Sequence, residues 1–495
     1  MKAWATKARV FHLSYGLWLF SVFAFFLPAA TWNPVSRFNL TRAIVERGTL
    51  SIDAYADSTG DRSRVRGRWY TDKTPIPSLL AVPAYAVMST FFRLQGRAPT
   101  YTAVGTDELP ARRVAVNRAY QRALWVCTIS TVGLAGVALG LMLFQLLRRR
   151  THRRRALLLS ALTMLGTPLL PYSTSLYGHV VAGAFLLAAV MALDQSNSAT
   201  GEPPSPARLR LAGACLALAP GCEYLTAVPA ALGGLFILAW VGSGRRLAAM
   251  RDLLIGGAVP ILVVSGYHTA CFGAPWKTGY SFIARPEFAA GHASGLLGLH
   301  PPRFESTIGL LFGAQRGLFY VAPITAVGTI GLVAAAVVQR DRTAQLGLGM
   351  LASMLVLNAG YYMWWGGAAT GPRHLVPVVG FTAIGLVQAW RLPWLRTPCL
   401  VAGLVSVANA TVLTAVGLEA PESGDVLFDY AWPQLLAGRI AHLSGASNLG
   451  LELGLPPRGS LLPLLGWMVV GFVHLQRQTR SSPQRSRRRP HHSWG

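Results

Sequence analysis

Twelve times along this 495-residue chain an apolar stretch recurs that is long enough, or nearly so, to cross a bilayer. The stretches lie at about 10–31, 119–147, 156–172, 179–194, 209–225, 226–242, 253–272, 316–338, 344–363, 375–390, 397–417 and 459–475. A helix needs about 20 apolar residues to cross the hydrocarbon core. The composition agrees, with 52% hydrophobic and only 13% charged residues, about half the charged share of a soluble domain. A water-soluble globule is excluded. The expected fold class is all-α, a polytopic transmembrane helix bundle of about 12 spans.

The formal charge of +26 would raise nucleic-acid binding in a soluble protein. Here the basic residues sit in short runs between apolar stretches and no nucleic-acid motif accompanies them, so no nucleic-acid partner is expected. Charge parity instead orients the chain. With Lys2, Lys7 and Arg9 inside and an uncleaved first span, 21 arginines between Arg148 and Arg489 fall on the cytoplasmic side, as the positive-inside rule demands. That count holds only if the apolar segment 75–94 does not cross. Pro75, Pro77 and Pro83 favour a broken helix lying in the interface there.

The expected organisation is therefore a single membrane domain over 1–475 and a basic cytoplasmic tail over 476–495. Its long outer loops are 32–118, containing the interfacial helix 75–94, then 273–315 and 418–458. Both termini are expected in the cytoplasm. The preference for Arg over Lys points to a GC-rich bacterial genome and so to the inner membrane. The five cysteines show no ligand spacing and read as buried thiols.

The first outer loop mixes acids with bases. Asp53, Asp57 and Asp61 recur every four residues, and Asp72 and Lys73 precede the proline-rich helix. A carboxylate near the membrane suits general-base work and a lysine at headgroup depth suits a lipid phosphate. A solvated loop with self-paired charges has the same composition. Elsewhere, His179 opens a span, and Glu223 is a costly carboxylate between two close spans. The run from Tyr361 to His374 places Trp365 and three glycines beside the Arg373–His374 pair, a composition that lets a guanidinium approach an oxyanion. The 273–315 loop carries Trp276, Tyr280, His292 and other groups suited to sugar stacking, with no specific spacing. No Rossmann, Walker A or HExxH pattern occurs.

Gly67-Arg68-Trp69-Tyr70-Thr71-Asp72-Lys73-Thr74-Pro75, followed by an apolar helix and then Ala111-Arg112-Arg113-Val114, resembles the first-loop signature of GT-C glycosyltransferases. The likeness is to the aminoarabinose transferase and protein mannosyltransferase families, with this chain as a divergent bacterial branch. The Trp365-Gly366-Gly367…Gly371-Pro372-Arg373 run is similar to runs in other GT-C-type chains. The resemblance implies transfer of a sugar from a polyprenyl-phosphate donor to a lipid, glycan or protein acceptor on the outer face. It implies Lys73 on the donor phosphate with Tyr70 beside it, and a first-loop acid as base. The usual acid after the first span is missing, for Trp32-Asn33-Pro34-Val35-Ser36 precedes Arg37-Phe38.

The expected site therefore comprises Asp53, Asp57 or Asp61 as base and Lys73, Tyr70, Arg373 and His374 on the phosphate. Glu223, His179 and Trp365 are further candidates. No metal ligands are assigned, although a divalent ion is compatible with the chemistry. The alternatives are a transporter or flippase of lipid-linked substrates, or a catalytically inactive GT-C-like scaffold.

Overall fold

The computed structural model describes residues 2–104, 113–194 and 204–480. Ala111 and Arg112 of the first-loop signature, and residues 481–495 of the basic tail, lie outside them. The chain is an all-α polytopic bundle. Its longer helices are α1 (Lys2–Ala24), α2 (Trp32–Arg47), α3 (Ile76–Leu94), α4 (Arg118–Arg148), α5 (Arg153–Leu165), α6 (His179–Asp194), α7 (Pro206–Cys222) and α8 (Ala227–Trp240). Then come α9 (Arg246–Phe272), α10 (Ile324–Val337), α11 (Arg342–Gly360), α12 (Thr382–Arg391), α13 (Pro393–Val416) and α14 (Leu462–Arg480).

By length and composition, six helices among the described residues suffice to cross a membrane: α3, α4, α11, α13 and the helical segments Ser243–Phe272 and Pro457–Thr479. Three shorter apolar ones accompany them. Several expected spans are broken in two. The 156–172 stretch is α5 plus Leu169–Ser173, and 316–338 is Leu318–Val321 plus α10. Pro168 and Pro323 sit at those breaks, where a missing N–H and a fixed φ interrupt the helical ladder.

The basic turns gather at one end of the bundle. Arg153 lies over the Phe11 ring at 4.2 Å, and Gln476 donates to the Arg154 carbonyl. Arg150 pairs with Asp341 at 3.5 Å, and Arg342 covers Trp240. The other end carries the long loops, stitched by a two-residue antiparallel pairing of Phe26–Leu27 with Ser447–Asn448.

Inside the first of these loops, Arg62–Val65 and Arg68–Thr71 form an antiparallel hairpin. Arg66 and Gly67 turn it with φ of 51° and 81°, the positive pair that a tight two-residue hairpin needs. The Ser63 hydroxyl donates to the Gly279 carbonyl (2.6 Å) and Ala284 donates to Arg62 (3.1 Å), which docks the 273–315 loop on the hairpin. One hairpin thus fixes two of the long loops together. It also delivers Thr71 to Thr74 toward the bundle axis.

Candidate active site

A polar cavity of about 60 Å³ lies where the hairpin, the ends of α2, α6 and α7, and the long loops meet. It has room for a few waters or a phosphate group. Lys73 is its centre. The ammonium lies 3.0 Å from Asp61 and 3.1 Å from Asp72, with only a tenth of the side chain exposed. Burial alone would lower the lysine's pKa, but the two facing carboxylates hold it above its ordinary value. Burial pushes Asp72 up to about 6 despite Lys73 beside it. Its Oδ1 is buried with no partner.

Arg37, fully buried on α2, ties three segments together. Its Nη1 donates to the Thr74 carbonyl and hydroxyl (2.9 Å each), and its Nε donates to Asn33 (3.2 Å). The Thr74 hydroxyl donates in turn to the Cys222 carbonyl at the end of α7 (2.6 Å). That junction requires Gly178, since a Cβ there would stand 1.8 Å from the Cys222 oxygen. Glu223 leaves α7 in extended backbone. Its carboxylate lies 3.7 Å from Arg37 and 3.2 Å from the His179 ring.

From the opposite side come Arg373 and His374, in a single 3-10 turn. Gly366 has φ +79°, and a Cβ there would come 3.1 Å from Arg373 Cγ, so glycine is required by both backbone and space. The Arg373 Nε is buried without a partner. Tyr280 stacks on His292 with centroids 4.2 Å apart, and the Tyr361 hydroxyl is 3.3 Å from the His292 Nε2. Burial, with Lys73 nearby, drops His292 to about 4, so this wall is uncharged at neutral pH. The lining holds Arg37, Lys73 and Arg373 against Asp61, Asp72 and Glu223, a balance that an incoming anion would shift.

The structure brings together Asp61, Lys73, Arg373, His374, Glu223 and His179. Four other expected residues do not line the cavity. Asp53 accepts the Trp69 amide (2.6 Å), and Asp57, 78% exposed, pairs with Arg62. Both belong to a 3-10 turn that ends at Ser58, so the four-residue spacing does not put the three acids on one face. Tyr70 packs edge-on against Phe272. Trp365 donates its indole N–H to Glu422 (2.9 Å). The sequence reading did not select Arg37, Asn33, Asp72, Tyr361 or Tyr362 as site residues, although all line the cavity. The adjacency of Asp72 to Lys73 was the available signal. Arg37 gave none, because apart from Asn33 on its own helix its partners lie 37 and 186 positions away.

No protein-family model matches the chain, and no curated protein matches it in sequence. Among solved structures, the chain is similar to ArnT from Cupriavidus metallidurans in the apo state over 96% of this chain and 78% of that one, with TM-score 0.48 and 15% identity. The same protein bound to undecaprenyl phosphate gives 97% and 78%, 0.43 and 16%. The apo oligosaccharyltransferase of Archaeoglobus fulgidus gives 83% and 56%, 0.45 and 11%. What the cavity can do follows from its own residues.

Proposed function

We propose that this chain is a membrane glycosyltransferase that moves a sugar from a polyprenyl-phosphate donor to a lipid, glycan or protein acceptor at the outer face. The observation that carries this reading is the convergence of three buried cations, Lys73, Arg37 and Arg373, on one small cavity. Such a set suits a phosphate at headgroup depth. A second feature supports a lipid tail. An apolar groove of about 630 Å³ runs between α7, α8 and α9, lined by Leu216, Ala217, Ile261 and their neighbours. Gly221 and Tyr224 lie on its wall while Glu223, between them in sequence, faces the polar cavity.

In the proposed reaction an acceptor O–H or N–H attacks the anomeric carbon. A bond forms from that O or N to carbon, the bond from carbon to phosphate oxygen breaks, and the electron pair leaves with the phosphate. Asp61 takes the acceptor proton, because it alone of the three regularly spaced acids lines the cavity. Lys73 and Arg373 stabilise the charge that builds on the leaving phosphate. Asp72 positions Lys73. In this reading α3 lies in the outer interface: the chain just before it, at Thr74, and just after it, at Pro99, accepts hydrogen bonds from Arg37 and Arg42 of the same helix.

The test is binding of a polyprenyl phosphate to the purified chain. Saturable binding that Lys73→Ala and Arg373→Ala each weaken at least tenfold supports the donor site. Equal binding by all three proteins removes it.

A further inference from the structure

Three cavity side chains have no part in the transfer chemistry above. His179 begins α6, Glu223 follows α7, and His374 sits in the Arg373–Leu375 turn. All three are buried, at 2%, 7% and 7% exposure. One potential ligand atom from each lies within 4.8 Å of the other two. Neither nitrogen of either imidazole has a hydrogen-bond partner, even though His179 Nδ1 is 3.2 Å from a Glu223 oxygen.

Four orphaned ring nitrogens in one place are unusual, since buried polar atoms are nearly always paired. The rings meet edge to face, 5.7 Å between centroids, and no hydrogen bond joins them. Arg37 does not satisfy the carboxylate either. Its Nη2 is 3.7 Å from Glu223, while Nε and Nη1 are committed to Asn33 and Thr74. Glu223 is therefore available.

We propose that His179, Glu223 and His374 bind a divalent transition-metal ion, zinc by ligand preference, with an open coordination position facing the cavity. Two neutral imidazoles and one carboxylate suit zinc far better than magnesium or calcium, which favour all-oxygen shells. Bonds near ~2 Å put tetrahedral ligand atoms about 3.3 Å apart, close to the separation that His179 and Glu223 already show. His374 has to close the rest. Three nearby cations disfavour an added double charge, so an anion in the cavity should strengthen metal binding, and by linkage metal should strengthen anion binding. This second part rests on the phosphate-site reading.

The test uses the full-length chain purified in detergent and stripped with chelator. Titration with zinc chloride, followed calorimetrically with and without inorganic phosphate, should give one ion per chain and tighter binding with phosphate. His179→Ala, Glu223→Gln and His374→Ala should each weaken zinc at least tenfold, and Asp57→Asn should not. The zinc absorption edge of the wild-type protein should show two nitrogen ligands and one carboxylate oxygen, a readout that does not depend on variants folding. No zinc uptake, or uptake with other ligands, overturns the proposal even if the metal-free protein transfers sugar. One zinc on these ligands sustains it even in a preparation that transfers none.

Discussion

Helix α2 carries two buried arginines five residues apart, and their surroundings differ in one respect. Arg42 donates from Nε and Nη2 to Glu46, and the Glu46 oxygens also accept the hydroxyls of Tyr55 and Tyr85. The guanidinium lies 4.2 Å over the Tyr55 ring as well. Arg37 faces Glu223 at a longer distance, beside two histidines whose ring nitrogens have no partners. The Arg42 cluster has its carboxylate fully engaged and lies off the polar cavity, although Arg42 Nη1 and the neighbouring Tyr120 hydroxyl are themselves buried without hydrogen-bond partners. The Arg37 cluster leaves polar atoms buried and unpaired around a cavity, a state worth its cost where something else binds. The first holds the first long loop together, and the second is where we place the proposed chemistry.

Breaking the unsatisfied side should cost activity rather than fold. Lys73→Ala should lower transfer about 100-fold or more, the scale of losing one preorganised cation, with inserted protein still present. Asp72, already near pH 6, can take a proton and relieve the buried charge. Asp61→Asn should lose about 10² to 10⁴ as the base, whereas Asp53→Asn and Asp57→Asn stay within about twofold because both acids lie off the cavity. Initial rates in membranes, normalised to inserted protein, decide this.

Breaking the Arg42 side should do the reverse. Arg42→Ala leaves Glu46 half-buried without its cation and should destabilise by about 3 kcal/mol, read by unfolding in detergent. Transfer per folded molecule should be little changed. The same cluster gives a smaller, pH-dependent effect. Burial by itself pushes Glu46 up, but the bonds from Arg42, Tyr85 and Tyr55 hold it below the usual carboxylate range. Its stabilisation is complete above its unfolded pKa and is lost as pH falls through the depressed folded value. Glu46→Gln should flatten that acid limb of the stability profile. The smallest effect is expected from Trp365→Phe, which removes one exposed indole bond to Glu422, worth about 0.5 kcal/mol or less, with transfer within about twofold.

The bundle was legible because hydropathy and basic runs are local signals, and the basic turns do meet at one end. Lys73 was legible because a turn, an aromatic strand and a proline surround it within nine residues. The regular spacing of Asp53, Asp57 and Asp61 could not tell the three apart; the turn that holds the first two ends at Ser58, and Asp61 is drawn inward through its carbonyl, which accepts from Ser36 of α2. Glu223 could be flagged by its setting between apolar runs, but not its partners. Arg37, Glu223, His179 and His374 come from four segments that only tertiary packing brings together.

The most direct measurement is transfer of radiolabelled sugar from a panel of polyprenyl-phosphate donors in membranes containing wild type, Asp61→Asn or the Asp53→Asn/Asp57→Asn pair. The account predicts transfer by wild type and by the double variant from at least one donor, and loss in Asp61→Asn. Transfer undiminished in Asp61→Asn, or none from any donor by correctly inserted wild type, would contradict it and shift the weight to a transporter or an inactive scaffold.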